Sequence, residues 1–104
     1  MSLRLLLKSR SSVPVEVEGV TPEAVRDKPL GDIERIPIFH GNTEVPLAEF
    51  FDVSGDPADQ RMVWEGDLSG VHWIGAGMSG GWMHIAGNAG RHLGSEMSGG
   101  EIFI

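Results

Sequence analysis

Apolar residues in the second half of the chain come in short runs, Met62–Trp64, Val71–Ile74, Trp82–Ala86 and Ile102–Ile104, each within two residues of a glycine. Such runs are too short for helices, and each interior glycine would weaken a helix by roughly 1 kcal/mol. Short strands joined at glycine turns fit the pattern, because glycine reaches the positive φ that a sharp reversal demands. The runs also repeat. Ile74-Gly75-Ala76-Gly77-Met78-Ser79-Gly80-Gly81-Trp82-Met83-His84-Ile85 aligns with Leu93-Gly94-Ser95-Glu96-Met97-Ser98-Gly99-Gly100-Glu101-Ile102-Phe103-Ile104 at a constant offset of 19. Gly87-Asn88-Ala89-Gly90 echoes Gly66-Asp67-Leu68-Ser69-Gly70, and Met62-Val63-Trp64-Glu65 aligns with Met83-His84-Ile85-Ala86.

A repeat of about 20 residues, each unit too small to bury its own apolar face, predicts a solenoid. At about 3.3 Å of rise per strand residue, one unit wraps a small core with two or three short sides. The expected fold class is therefore mainly all-β: a parallel β-helix, a glycine-rich solenoid preceded by a short mixed segment. Gly75, Gly80, Gly81, Gly94, Gly99 and Gly100 are its expected corners. Rows follow from the alignment. Met78 and Met97 form a core ladder, and Trp64 repeats as Ile85 and Ile104, an inward position. Trp82 repeats as Glu101, an outward position, which makes Trp82 a candidate interface residue together with Phe103 of the last coil. Trp73 is either core or surface. Asp67 and Asn88 share a row before a corner, where such side chains bond their own backbone.

The first part of the chain lacks this rhythm. Leu3–Leu7 is an expected strand, and Val13, Val15 and Val17 alternate with polar positions as in a second, with Pro14 placing it at a sheet edge. Thr21-Pro22-Glu23 predicts a helix start running toward Asp27, and a helical turn begins at Asp32 and stops before Pro37. Gly41-Asn42-Thr43-Glu44 predicts a reversal between Ile38-Phe39-His40 and Val45-Pro46-Leu47. Phe50 and Phe51 are expected to cover the first coil. Residues 1–61 thus form a capping segment and 62–104 the first coils, in one folding unit.

Composition separates the same two parts. All six prolines fall at or before Pro57, and 11 of 15 glycines fall at or after Gly66. The net charge of −7 argues against nucleic acid as a partner, since phosphates require a basic footprint. No apolar run approaches a membrane span, and the absence of cysteine excludes disulfides and thiolate metal sites. A cytoplasmic location is expected.

Two patterns invite chemistry. Gly75-Ala76-Gly77-Met78-Ser79-Gly80 satisfies the G-x-G-x-x-G dinucleotide fingerprint after an apolar run, so a module binding a nucleotide or flavin through this turn is the alternative function. The fingerprint requires a helix next, yet Gly80, Gly81, Gly87 and Gly90 come after it, and the second copy carries Glu96 in place of Gly77. His40, His72, His84 and His92 are the only residues able to anchor a transition metal or act as general bases. The alignment puts His84 opposite Val63 and Phe103, His92 opposite Trp73, and His72 opposite Arg91, which are stacked rows rather than a convergent ligand set. No catalytic, cofactor-binding or metal residue is assigned.

Pro46-Leu47-Ala48-Glu49-Phe50-Phe51-Asp52-Val53-Ser54-Gly55-Asp56, Glu65-Gly66-Asp67, Ile74-Gly75-Ala76-Gly77-Met78 and Met97-Ser98-Gly99-Gly100 resemble the C subunit of formylmethanofuran dehydrogenase. They are similar also to the C subunit of the formyltransferase/hydrolase complex, and the glycine repeat to the C-terminal domain of the glutamate synthase large chain. The resemblance implies a right-handed parallel β-helix. It also implies a non-catalytic scaffold in a complex of one-carbon metabolism, packed against sister subunits that carry zinc and a molybdenum or tungsten pterin. It implies several further coils, so the chain looks like an N-terminal portion, and self-association through the open C-terminal coil is expected.

Overall fold

Two sheets organise the chain in a computed structural model, whose described residues are 2–8, 13–88, 90 and 93–104. The strands are β1 (Leu3–Leu7), β2 (Val15–Glu16), β3 (Pro37–His40), β4 (Thr43–Pro46), β5 (Phe51–Ser54), β6 (Arg61–Glu65), β7 (Val71–His72), β8 (Ser79–Ala86) and β9 (Gly99–Phe103). Two short helices, α1 (Pro22–Val25) and α2 (Leu30–Glu34), lie between β2 and β3. One sheet runs β5-β1-β6-β8-β9 and the other β4-β3-β2-β7.

The repeat is the register of the first sheet. β6, β8 and β9 pair in parallel, with Met62 beside Met83 beside Ile102, and Trp64 beside Ile85. Alternation then sends these residues inward. Met62, Met83, Trp64 and Ile85 are at most 1% exposed, and each such burial contributes about 1.5–3 kcal/mol. The turns at 74–77 and 93–96 stack as well: Gly94 donates its N–H to the Ile74 carbonyl at 2.8 Å, and Gly77 donates to Ser95 at 2.8 Å.

The first part of the chain continues these ladders on the other side. β1 lies parallel to β6, with Leu3 beside Met62 and Leu5 beside Trp64, and β2 lies parallel to β7, with Val15 beside Val71. Antiparallel strands complete each side, β5 on β1 and β3 on β2. Both sheets are therefore mixed, which corrects the purely parallel arrangement expected from the repeat. The physical reason is that the first rung exposes a row of backbone donors and acceptors, and reversing strands from the same chain satisfy it. Phe50 and Phe51 are buried there, with the Phe51 ring perpendicular to Trp64 at 5.2 Å between centroids. One core joins residues of both parts, from Leu3 to Ile85.

Several local expectations change. β2 is not an edge strand, because β3 and β7 flank it; Pro14 stands just outside, where its carbonyl accepts the Gly41 N–H at 2.9 Å. Thr21 occupies the N-cap position of α1 without capping it through its side chain. Its hydroxyl instead donates to one Glu23 carboxylate oxygen, while the other accepts the Ser79 N–H at 3.0 Å. That carboxylate ties α1 to the start of β8. α2 starts at Leu30, before Asp32, and the reversal after β3 is the two residues Gly41-Asn42, with His40 paired to Thr43.

The glycine pairs are the main correction. Gly75 and Gly94 lie in the stacked turns, whereas Gly80-Gly81 and Gly99-Gly100 lie inside β8 and β9. Ser79 pairs with Gly99 and Trp82 with Glu101, so two residues of β8 face Gly100 alone in a bulge. Gly81 takes φ +87°, and a Cβ there would meet Pro22 Cβ at 2.6 Å. Gly80 has no left-handed φ and nothing within 4 Å, so it is not a position that requires glycine.

Gly81→Ala should accordingly cost about 1–3 kcal/mol through left-handed strain and displacement of α1. Gly80→Ala should stay within about 0.5 kcal/mol. Equal losses in thermal denaturation of the two variants would refute this assignment of roles within the pair.

Candidate interface on the outer face of the five-stranded sheet

The alternation that buries Met62, Trp64, Met83 and Ile85 turns their neighbours outward. Two outward rows cross the parallel strands: Arg61, Trp82 and Glu101 in one, and Arg4, Val63, His84 and Phe103 in the other. The Trp82 ring is their centre. It lies 5.5 Å from the Phe103 ring and 5.9 Å from His84, and the Arg61 guanidinium carbon stands 5.6 Å from its centroid. A cation over an indole at such an exposed site contributes about 0.5–1 kcal/mol. Phe103 is 47% exposed and Leu6, on the same face of β1, is 44% exposed.

The bulge at Gly80-Gly81 positions this group. One extra residue in β8 shifts the phase of the strand, so that Trp82 comes into register with Glu101 rather than with Ile102. At the rim Arg4 pairs with Glu65 at 2.6 Å; both are partly solvated, so the pair contributes less than about 1 kcal/mol. A tryptophan backed by an arginine, beside an exposed phenylalanine and edged by charge, is the residue mix of an interface anchor. Chemically the patch offers aromatic, apolar and cationic contacts, with one imidazole at His84.

The other candidates sit apart from it. Trp64 and Met78 are buried, Met97 packs at the border of the core, and Trp73 takes a left-handed φ of 66° before the first stacked turn. His40 packs its ring against Phe50 at 4.7 Å, and His72 lies in β7 in register with Glu16. His92 and Arg91, and the rows expected for them, lie outside the described residues. Asp67 accepts the Ser69 N–H at 3.2 Å, which is turn chemistry. Among the described residues no three His, Asp or Glu side chains come together as metal ligands, and no helix is long and apolar enough to cross a membrane. Arg61 was missed by sequence reasoning. Its signal is positional: it precedes Met62 as Trp82 precedes Met83.

The dinucleotide reading is overturned by the strand after the motif. Residues 79–86 form β8, so no helix N-terminus faces Gly75–Gly80, and the turn itself stacks on residues 93–96.

Comparison with known proteins gives this surface its context. No family model matches the chain. The C subunit of molybdenum-containing formylmethanofuran dehydrogenase 1 from Methanothermobacter thermautotrophicus is 39% identical over 95 residues, covering 90% of this chain and 24% of that protein. The chain is homologous to the C subunit of formylmethanofuran dehydrogenase. The C subunit of tungsten-containing formylmethanofuran dehydrogenase 2 from the same organism is 35% identical over 92 residues, or 85% of this chain and 34% of that one. The chain thus spans about a quarter to a third of the length of these curated relatives. A chain of the formyltransferase/hydrolase complex from Methylorubrum extorquens, solved with methylofuran, shares the fold with a TM-score of 0.70. Its identity is 20%, and the match covers 95% of this chain and 44% of that one. The relatives are named for molybdenum or tungsten; this chain has no cysteine, and its described residues form no ligand cluster that fits either metal.

Thermal denaturation with millimolar NAD, FAD or ATP should show no shift. A ligand at 100 times its dissociation constant would add about 2.7 kcal/mol, so a saturable shift lost in Gly77→Glu would restore the nucleotide reading.

Proposed function

We propose that this chain is the scaffold part of a C subunit in a formyl-oxidising or formyl-hydrolysing complex of one-carbon metabolism, without catalytic residues of its own. The homology over nine-tenths of the chain supports the assignment to that subunit. The observation that carries the scaffold role is the outer face of the five-stranded sheet, with Trp82, Phe103 and Arg61 arranged for binding. Sister subunits bearing the metal chemistry dock there, and the complex works in the cytoplasm. The parallel rungs β6, β8 and β9, together with the stacked turns, are in this reading the first coils of a right-handed parallel β-helix.

Co-expression with the sister subunits followed by size-exclusion chromatography tests the assignment. The chain should elute with them, and Trp82→Ser with Phe103→Ser should lower its retention at least about tenfold with little change in melting temperature, as expected of central aromatic anchors. Full retention by the double variant would remove this face from the interface.

β9 is an edge strand of the five-stranded sheet, with Ile102 half-buried and Phe103 exposed. Glu101 is the one charged residue of that strand, and neither proline nor lysine occurs in it. We propose that the 104-residue chain alone associates through this edge into a two-fold dimer. Light scattering should give a species of twice the monomer mass, shifted toward monomer by Ile102→Lys. A monodisperse monomer at high concentration would disprove the dimer.

A further inference from the structure

The second sheet presents a face of opposite character. Its register sets Glu44 of β4 beside Phe39 of β3, and Phe39 beside Glu16 of β2. Paired residues share a face, so Phe39 stands between two glutamates at about 5 Å on either side. The ring is 44% exposed, although Ile38 next to it is buried at 1%. An open groove runs along this face, lined by Glu16, Glu18, Gly19, Pro37, Ile38 and Phe39. Thus an apolar ring forms part of a groove that carries two carboxylates, with a third across the ring.

Among the described residues no lysine or arginine pairs with these carboxylates, and His72 of β7 lies beside Glu16 in register. The ion pairs there join Arg4 to Glu65, Arg26 to Asp27 and Arg35 to Asp32, and none reaches Glu16, Glu18 or Glu44. An exposed aromatic ring gains from a cation against its face, and carboxylates placed beside the ring complete the ion pair. A planar guanidinium satisfies both at once, better than an ammonium, because it stacks and donates in a fork. Backbone pairing contributes nothing to specificity here: β4, the edge of this sheet, ends in Pro46 and carries Glu44, which discourages strand addition. The surface therefore selects side chains that reach down onto the sheet, not a strand that extends it.

We infer that this groove is a second docking surface, which takes an arginine-bearing segment of a partner protein with the guanidinium seated on Phe39 between Glu16 and Glu44. Its charge is complementary to a basic segment, and its chemistry is distinct from the Trp82 face, so one subunit is held from two sides by different interactions.

An NMR titration of the isotope-labelled 104-residue chain with the peptide acetyl-Gly-Arg-Gly-Arg-Gly-amide tests the inference. Saturable shifts should centre on the amides of Glu16, Phe39 and Glu44, and should fade at high salt. The peptide with citrulline in place of both arginines should not bind. Phe39→Leu should weaken binding about threefold through the lost cation–π contact, and Glu16→Gln with Glu44→Gln should weaken it further. Three outcomes overturn the proposal: no saturable shift, shifts spread over all acidic surface and indifferent to Phe39→Leu, or equal binding of the citrulline peptide. Shifts at the same amides that depend on protein concentration without peptide would identify a second copy as the occupant, and would likewise overturn it.

Discussion

The pairing of β1 with β6 is the contact on which the rest of the molecule depends. A parallel ladder of short rungs cannot finish itself, because its first strand leaves one row of backbone groups and one apolar row without partners. Leu3 and Leu5 supply the apolar row against Met62 and Trp64, and β1 supplies the backbone partners. β5 then closes the ladder with a change of direction, and Phe51 packs at right angles to the Trp64 ring. The indole is thereby enclosed by strands drawn from both parts of the chain. Removing β1 would expose the largest buried side chain together with the first rung. The parallel ladder and the N-terminal strand therefore share one core.

A second constraint links that core to the surface. Glu23 holds α1 against the start of β8 through Ser79, and Pro22 lies where a side chain at position 81 would have to go. The glycine bulge is thus the point at which a short helix can approach the sheet, and it is also the point that sets the phase of Trp82. Packing on one side of β8 and display on the other are fixed by the same two residues. This explains why Gly81 and Gly80 differ so much in strain although they adjoin.

The repeat was legible in the sequence because its offset is the register itself: aligned residues in positions 62–65, 83–86 and 102–103 are hydrogen-bonded neighbours. Outwardness of Trp82 followed from its alignment with Glu101, and burial of Trp64 from its alignment with Ile85. The mixed sheets were not legible. Leu3 meets Met62, and Val15 meets Val71, across more than fifty residues, and neither N-terminal strand carries the Met-Ser-Gly-Gly signature that would betray its place in the stack. Pro14 pointed to an edge because proline cannot donate to a ladder, but it stands one residue outside the strand and so never had to. Glu96 marked the weakness of glycine counting. It adopts φ 57° at the position where Gly77 adopts φ 73°, so one copy of the turn accepts a side chain and the pattern alone did not say which glycines were required.

Stacked rungs divide their residues into two kinds with different freedom. Inward rows must fill a fixed volume, and they hold Leu3, Met62, Met83 and Ile102 with little chemical variety. Outward rows meet no such limit, so a single row runs from a cation at Arg61 through an indole at Trp82 to an anion at Glu101. Such a row carries no net charge and keeps its apolar member in the middle. Desolvating its centre therefore leaves both charges at the rim, where water still reaches them, and avoids the large cost of burying an unpaired ion. Binding can be built on this fold without disturbing its core, because the period of two keeps the two sets of positions on opposite faces.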